Sequence, residues 1–540
     1  MQYFVFRNST VEPFLIHLDA IFSGYDDISE TNAQPESYIW FYIIPVKADC
    51  KLLVAEIKSY YESLVLVYQR IPKSKSLIIF SLAQVYSNPM QTGDFSILEA
   101  VAEFNQKIVR LAAQYSNIKI IDIADFTSRY SNSQLIDWKY YYLSKMMLNP
   151  KLAGDFRMWL DRYLVAIHLK RKKCLIVDLD NTLWGGILGE DGVNGIKIGG
   201  DYPGSAFYDF QKSIIELYKA GIILAICSKN NESDVLEAWE KNPYILIRKE
   251  HLAAYRINWN NKAQNIAELV KQLNIGADSI VFIDDNPTER ELVKQFLPMV
   301  EVPDFPLQPY LLPLFIKQVT EKYFMIYKLT GEDKIKTRQY QENAVRDEFQ
   351  KSYSDFSEYL SNLEMRINLQ FAKPISIPRI AQMTQKTNQF NLTTKRYTEA
   401  EIYSFIEQGH WVYSIEVSDR FGESGISGLI IVTLDKIQKN AYIDSILLSC
   451  RILGKGIEEA FVNKMLELLK NIGIIKVTSS YIQTAKNEQV SNFYEKMGFT
   501  LSGSDVNDVV SKSYFLDLSD KIFEIKPFYN MTYDGNKTED

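Results

Sequence analysis

The residues that could do chemistry in this chain stand at the ends of short apolar runs. Asp178-Leu-Asp180-Asn-Thr182 follows CLIV, Ser228 closes ILAIC, Asp284-Asp285 follows IVFI, and Lys262 opens the helical pattern KAQNIAELVKQL. Carboxylates gathered in one place repel one another unless a cation joins them. Oxygen ligands of this kind suit Mg²⁺, which keeps waters and takes a phosphate oxygen as a further ligand. A serine hydroxyl with its neighbouring amides can hold a phosphate, and a lysine can neutralise it. Together the set reads as a site for phosphoryl transfer.

Such residues meet only if the apolar runs are parallel strands sharing one carboxyl edge, where open α/β sheets bind their ligands. CLIVDLD, IILAICS and SIVFIDD are β-rich, and SAFYDFQKSIIELYKAG and NKAQNIAELVKQLN between them have helical periodicity. The predicted class is therefore α/β and multidomain, with a parallel-sheet core. Residues 1–165 alternate strands (SYIWFYIIPV, SLIIF, IKIIDIADF) with helices (KLLVAEIKSYYESLV, SILEAVAEFNQKIVRLAAQY), which predicts a further α/β domain. The core domain spans 170–320, a charged helical connector 321–354, a last domain 355–520 and a polar tail 521–540.

The net charge of −7 leaves no basic footprint for nucleic acid. No apolar stretch is long enough for a membrane span, and MQYFVFRNSTVEPF has no signal-peptide pattern, so a soluble, cytoplasmic protein is expected. Cys50, Cys174, Cys227 and Cys450 form no CxxC pair, and four histidines make neither a zinc site nor a histidine-based triad the first expectation.

DxDxT, then Ser, then Lys, then DD, in that order over about 130 residues, resembles the haloacid dehalogenase (HAD) superfamily. The resemblance implies that Asp178 is the nucleophile and Asp180 the general acid and base. It also implies a phosphate-binding set in which Thr182 supports the loop and Ser228 and Lys262 bind the phosphate. Mg²⁺ would be held by Asp178, Asp180 through its main-chain carbonyl, and Asp284, with Asp285 in support. Only a short Gly-rich flap, LWGGILGEDGVNGIKIGGDYPG, stands where many HAD enzymes insert a cap domain, so an open site is expected.

The surrounding text is narrower still. VDLDNTLWGGILGEDG, CSKNNE, FIDDNPTERELV, MTQKTNQFNLTTKRYTEAEI and LSCRILGKGIEEAF resemble FkbH-like proteins, whose phosphatase domain is of HAD-IIIC type. That resemblance implies dephosphorylation of an acyl phosphate such as 1,3-bisphosphoglycerate, a phosphorylated three-carbon substrate. The glyceryl group would pass to the phosphopantetheine of an acyl carrier protein in natural-product or glycan biosynthesis. Cys227, beside Ser228, is the candidate holder of the acyl group, against the alternative of a buried core thiol.

In the last domain, Arg451-Ile-Leu-Gly454-Lys-Gly456 before a helix, with Asn487 and NFYEKMGF further on, resembles the GNAT acetyltransferases. This implies an α+β fold in which Arg451, Gly454 and Gly456 bind the phosphates of phosphopantetheine or acyl-CoA. Asn487 and Tyr494 would face its thiol. The first domain looks like a degenerate SGNH-hydrolase or flavodoxin-like domain, with neither the GDS nucleophile nor the DxxH that would follow it. A plain Mg²⁺ phosphatase acting on a sugar or protein, and an N-acyltransferase of polysaccharide assembly, remain as alternatives.

Overall fold

A computed structural model of the chain describes residues 2–29, 35–46, 49–73, 75–85, 93–169, 171–329, 336–387, 389–449, 452–484, 486–505 and 510–534. Met1–Ile167 with Tyr397–Gln408 make one compact unit, and His168–Arg396 with Gly409–Asp540 make the other.

In the first unit, strands β1 (Gln2–Arg7), β2 (Asp19–Tyr25), β3 (Ser37–Phe41), β4 (Ser76–Phe80) and β5 (Ile118–Ile121) form a parallel sheet in the order β2-β1-β3-β4-β5. That is the flavodoxin-type order of a doubly wound fold. The central strands β3 and β4 are almost wholly buried because both faces of the sheet are packed. The helix Cys50–Arg70 buries Leu53, Ile57, Tyr60, Leu64 and Val67, and starts where the Asp49 side chain accepts from the amides of Lys51 and Leu52. Asp137-Trp-Lys-Tyr140 lies at the start of the helix Trp138–Ser144, where Asp137 is its N-cap.

The second unit carries two sheets. In the first, β6 (Cys174–Val177), β7 (Ile223–Ser228), β8 (Ala254–Ile257) and β9 (Ile280–Ile283) are parallel in the order β8-β7-β6-β9. The predicted helices are present as Gly204–Lys219 and Lys262–Leu273. The second sheet has nine strands: β10 (Arg366–Phe371), β11 (Phe390–Asn391), β12 (Trp411–Asp419), β13 (Gly422–Asp435), β14 (Asn440–Leu448), β15 (Lys476–Ile482), β16 (Thr500–Asp505), β17 (Ser511–Asp517) and β18 (Asn530–Asp534). It is largely antiparallel, with parallel pairs β14–β15 and β10–β18.

One expectation changes here. The polar tail from 521 is not all tail. Asn530–Asp534 adds the edge strand beside β10, and Tyr529 packs into the core. The charged connector is a docked helix, Lys336–Lys351. Gln341 Nε2 donates to the carbonyls of Glu250 and Leu252 (3.0 and 2.8 Å) on the first sheet's side. Arg346 makes a buried two-pronged ion pair with Asp419 on β12, at 2.6 and 2.9 Å. Planar pairing of this kind fixes orientation as well as charge.

Candidate active site

The strand ends deliver the expected residues to one rim. Asp178 follows β6, Ser228 is the last residue of β7, Asp284 and Asp285 follow β9, and Lys262 is the first residue of its helix. Asn261 caps that helix by accepting from the amides of Ala263 and Gln264, which aims the first turn at the rim. One ligand atom each from Asp178, Asp284 and Asp285 lies within 4.8 Å of the others. Lys262 Nζ bridges two of them, at 3.0 Å from Asp178 Oδ1 and 2.6 Å from Asp284 Oδ2, and is itself 4% exposed.

The electrostatics follow from this crowding. Burial raises the Asp178 carboxyl above the usual range, while Lys262 and the Ser228 hydroxyl pull the other way. Asp284 is pushed up to about 6, first by burial and then by the charge of Asp178. Asp285 is raised by burial and by Asp284. For Lys262, burial lowers the ammonium, but the two carboxylates outweigh it and the net direction is up. Three carboxylates against one ammonium leave a deficit that a divalent cation would balance, so the donor set fits Mg²⁺.

Asp180 stands apart from this cluster. Its Oδ1 accepts from Trp184 Nε1 (2.9 Å) and the Leu188 amide (3.1 Å), and its Oδ2 accepts from Asn230 Nδ2 (2.9 Å). Its carboxylate therefore belongs to the flap side of the rim and is not one of the clustered ligands. The Thr182 hydroxyl donates to Asp285 Oδ1 (3.3 Å) and accepts from the Asp285 amide (3.1 Å), so it braces the acidic loop. Sequence alone assigns no role to Asn230 and Trp184, although they lie in the motif blocks CSKNNE and DLDNTLW.

The flap is packed. Trp184, Leu188, Ile196 and Ile198 belong to the core under it. Gly186 is required there: at φ +98° a Cβ would also lie 2.4 Å from the Asp191 carboxylate that accepts from the Ile187 amide.

Cys227 does not join the rim. Strand alternation turns it into the core on the face opposite Leu224 and Ile226, among Cys174, Ile176 and Ala225. Its thiol is fully buried, lies 3.7 Å from the Lys262 carbonyl, and is pushed up by burial, so it stays protonated and sealed from substrate.

The residues expected to hold pantetheine are likewise engaged by their own domain. The register of β14 with β15 ends at Ile443–Ser479, and the two strands then part. The gap is filled by Phe390–Leu392. Phe390 and Asn391 pair with Leu448 and Leu447, the Leu392 amide donates to the Ile446 carbonyl, and the Ile482 amide donates to the Leu392 carbonyl. The buried Asn487 locks this wedge: Nδ2 donates to the carbonyls of Asn391 and Ile482 (both 2.9 Å), while Oδ1 accepts from the Thr484 amide (2.7 Å) and Tyr481 Oη (3.2 Å). Its amide has no capacity left for a ligand.

Tyr494 is a core residue in tilted ring contact with Phe499 and Tyr514, and burial holds its phenol well above its ordinary range. Gly454 and Gly456 have positive φ, as the turn requires. Burial raises the Glu458 carboxyl at this helix start, while the amides of Glu458, Gly454 and Gly456 pull it the other way. Tyr529 Oη covers Gly456 while donating to the Lys455 carbonyl (2.6 Å). Arg451 lies outside the described residues. Of this set, Asn487 and Tyr494 are engaged within their own domain.

Comparison with known proteins bears on the rim. Residues 173–310 match the NLI interacting factor-like phosphatase family. The N-terminal part of the protein BF1531 from Bacteroides fragilis, which contains a phosphatase domain complexed with Mg, is 26% identical with a TM-score of 0.51, over 61% of this chain and 95% of that one. The Escherichia coli ribosomal-protein-S18-alanine N-acetyltransferase aligns with 30% of this chain and 99% of its own at 12% identity and a TM-score of 0.24. No curated protein sequence matches the chain. With the rim geometry, the phosphatase matches establish that this enzyme carries a HAD-type phosphatase domain.

Proposed function

We propose that the chain is a Mg²⁺-dependent phosphatase that works through an aspartyl-phosphate on Asp178. The observation that carries this reading is the buried cluster of Asp178, Asp284 and Asp285 tied together by Lys262 at the carboxyl edge of a parallel sheet. Asp178, Asp284 and Asp285 would hold the ion, which neutralises charge on the phosphate oxygens when bound. A carboxylate oxygen of Asp178 forms the new bond to phosphorus as the bond to the leaving oxygen breaks. Asp180, oriented by Trp184, Leu188 and Asn230, supplies a proton to that oxygen where it needs one. It then takes a proton from the water that attacks the aspartyl-phosphate, and inorganic phosphate leaves. Lys262 and Ser228 hold the phosphate against this change of charge.

The experiment is phosphate release from acetyl phosphate and from glycerol 3-phosphate, with and without Mg²⁺. Wild type should be active only with the ion, and Asp178→Asn should lose at least ~10³-fold. Unchanged turnover in Asp178→Asn would sink the proposal.

The finer reading, a glyceryl loader, is supported by the FkbH-like motif blocks and by a flap too short to form a cap. In it, the thiol of a carrier-bound phosphopantetheine attacks the acyl carbon of 1,3-bisphosphoglycerate. The bond to the 1-phosphate breaks and that phosphate leaves. The 3-phosphate left on the thioester is an alkyl monoester, which the Asp178 site hydrolyses. Cys227 plays no part, and the pantetheine arm reaches the rim instead of the wedge-filled cleft. Asp180 separates the two chemistries. A carboxylate leaves an acyl phosphate without a proton, whereas an alkoxide does not leave an alkyl monoester unaided. Asp180→Asn should therefore lose ~10²–10⁴-fold on glycerol 3-phosphate. With acetyl phosphate it should instead accumulate phosphoenzyme. Equal losses at the first step for both substrates would contradict this division.

A further inference from the structure

Asp180 is held from two sides, and those sides locate the path of the leaving group. Its Oδ1 accepts from Trp184 and the Leu188 amide on the flap, and its Oδ2 from Asn230 in the loop after β7. A group that protonates the leaving oxygen must stand next to it, so the rest of the leaving group departs past these two segments. Within the loop after β7, Lys229 is committed to Glu289 on the helix that follows β9, at 2.7 Å. Asn231 turns instead to the loop after β8, where its Oδ1 accepts from Trp259 Nε1 at 3.0 Å.

Trp259 is 69% exposed, although an indole gains as much from burial as any side chain. Its exposure is built in. The Asn258 amide donates to the Ser228 carbonyl (3.1 Å), and Asn258 Oδ1 accepts from the Asn260 amide (3.0 Å) and from Asn265 Nδ2 (2.9 Å). Asn261 caps the helix that begins with Lys262. The backbone is thus pinned on both sides of Trp259, and the bond to Asn231 pins the ring. A lone exposed apolar residue is ordinary on a protein surface. An indole locked in one orientation, three residues before the phosphate-binding lysine, is a platform whose ordering cost is already met. The flap brings a second apolar side chain, Ile187, which is 40% exposed and whose amide is held by Asp191 at 2.8 Å. It directly precedes Leu188, the other support of Asp180.

We propose that Trp259 determines the specificity of the rim. Its indole face receives the leaving group of a phosphomonoester and favours one that continues past its first carbons into a flat or apolar segment. The inference rests on Asp178 as nucleophile and Asp180 as general acid. Trp259 makes and breaks no bond. It adds binding remote from phosphorus, which is felt equally before and during the reaction and therefore falls on KM.

The test compares ethyl phosphate with 2-phenylethyl phosphate, which share a primary alkoxide leaving oxygen and differ by the ring. Phosphate release by the full chain with Mg²⁺ is measured on both. The ratio of their kcat/KM values is taken within each protein, so that the amount of folded enzyme cancels. Wild type should favour the phenylethyl ester by about tenfold. Trp259→Ala should bring the ratio near one, through the KM of the longer ester. Trp259→Phe keeps a ring but loses the bond to Asn231, and should retain part of the preference. A Trp259→Ala ratio equal to that of wild type, or a fall confined to kcat, would overturn the proposal, as would release from acetyl phosphate but from neither ester. Wild type that releases phosphate from none of the three would remove the phosphatase reading, and this inference with it.

Discussion

The catalytic rim and the β14–β15 cleft both gather polar residues, and they treat them in opposite ways. At the rim, three carboxylates are pressed together with one lysine, and burial raises all three carboxyls, with like charge adding to it at Asp284 and Asp285. In the cleft, every donor and acceptor of Asn487 is matched by a partner from the same domain. Polar groups kept under electrostatic stress mark a place where something else is meant to bind. Polar groups satisfied from within mark a joint in the structure. Motif resemblance points to function in both regions, and the hydrogen-bond accounting separates them.

The comparison is sharpened most by substitutions with opposite expected signatures. Asp178→Asn should remove activity and leave the denaturation midpoint in EDTA unchanged or higher, since it relieves a carboxylate cluster. Asn487→Ala should do the reverse. Four hydrogen bonds lose their partner in a buried place, costing about 2–4 kcal/mol in stability by urea denaturation. Phosphate release per folded molecule should stay within about twofold. An Asn487→Ala protein of native stability would mean that the wedge is not held as described. Cys227→Ala comes next, with a loss of about 1 kcal/mol for a small cavity and near-normal phosphate release. Abolished phosphate release in that variant, with the fold intact, would return the thiol to the mechanism.

The smallest effect concerns the contact between Lys486 and Asp278. Burial raises Asp278, but the bond and charge of Lys486 outweigh it, so its carboxyl lies below its ordinary value. A depressed folded-state value stabilises above the unfolded one, near 3.9, and that stability is lost as pH falls through the folded value. Lys486→Gln should therefore cost under about 1 kcal/mol at pH 6, because both groups are partly exposed. The difference from wild type should shrink as pH falls and vanish once Asp278 is protonated in the folded state. A difference that persisted there would show that Lys486 acts through packing.

The rim was legible in sequence because each of its elements is local. An apolar run, a polar terminus and a helix start fix Asp178, Ser228, Lys262 and Asp284 without knowledge of distant pairings. The same locality misled at Cys227. It neighbours Ser228 in the chain, but alternation along β7 sends the two side chains to opposite faces. The wedge was not legible. It depends on Asn391 meeting Asn487 across 96 residues, and NQFNLTTK has no period that announces a strand. The strand β18 escaped for a similar reason, since NMTYD is short, polar and mostly exposed, and only its register with β10 defines it.

The central claim is covalent, and acid quenching of the enzyme turning over labelled acetyl phosphate with Mg²⁺ tests it directly. The account predicts a label that survives acid, is released by hydroxylamine, maps to Asp178, accumulates in Asp180→Asn and is absent from Asp178→Asn. Turnover without any bound label, or a label that persists in Asp178→Asn, would contradict it.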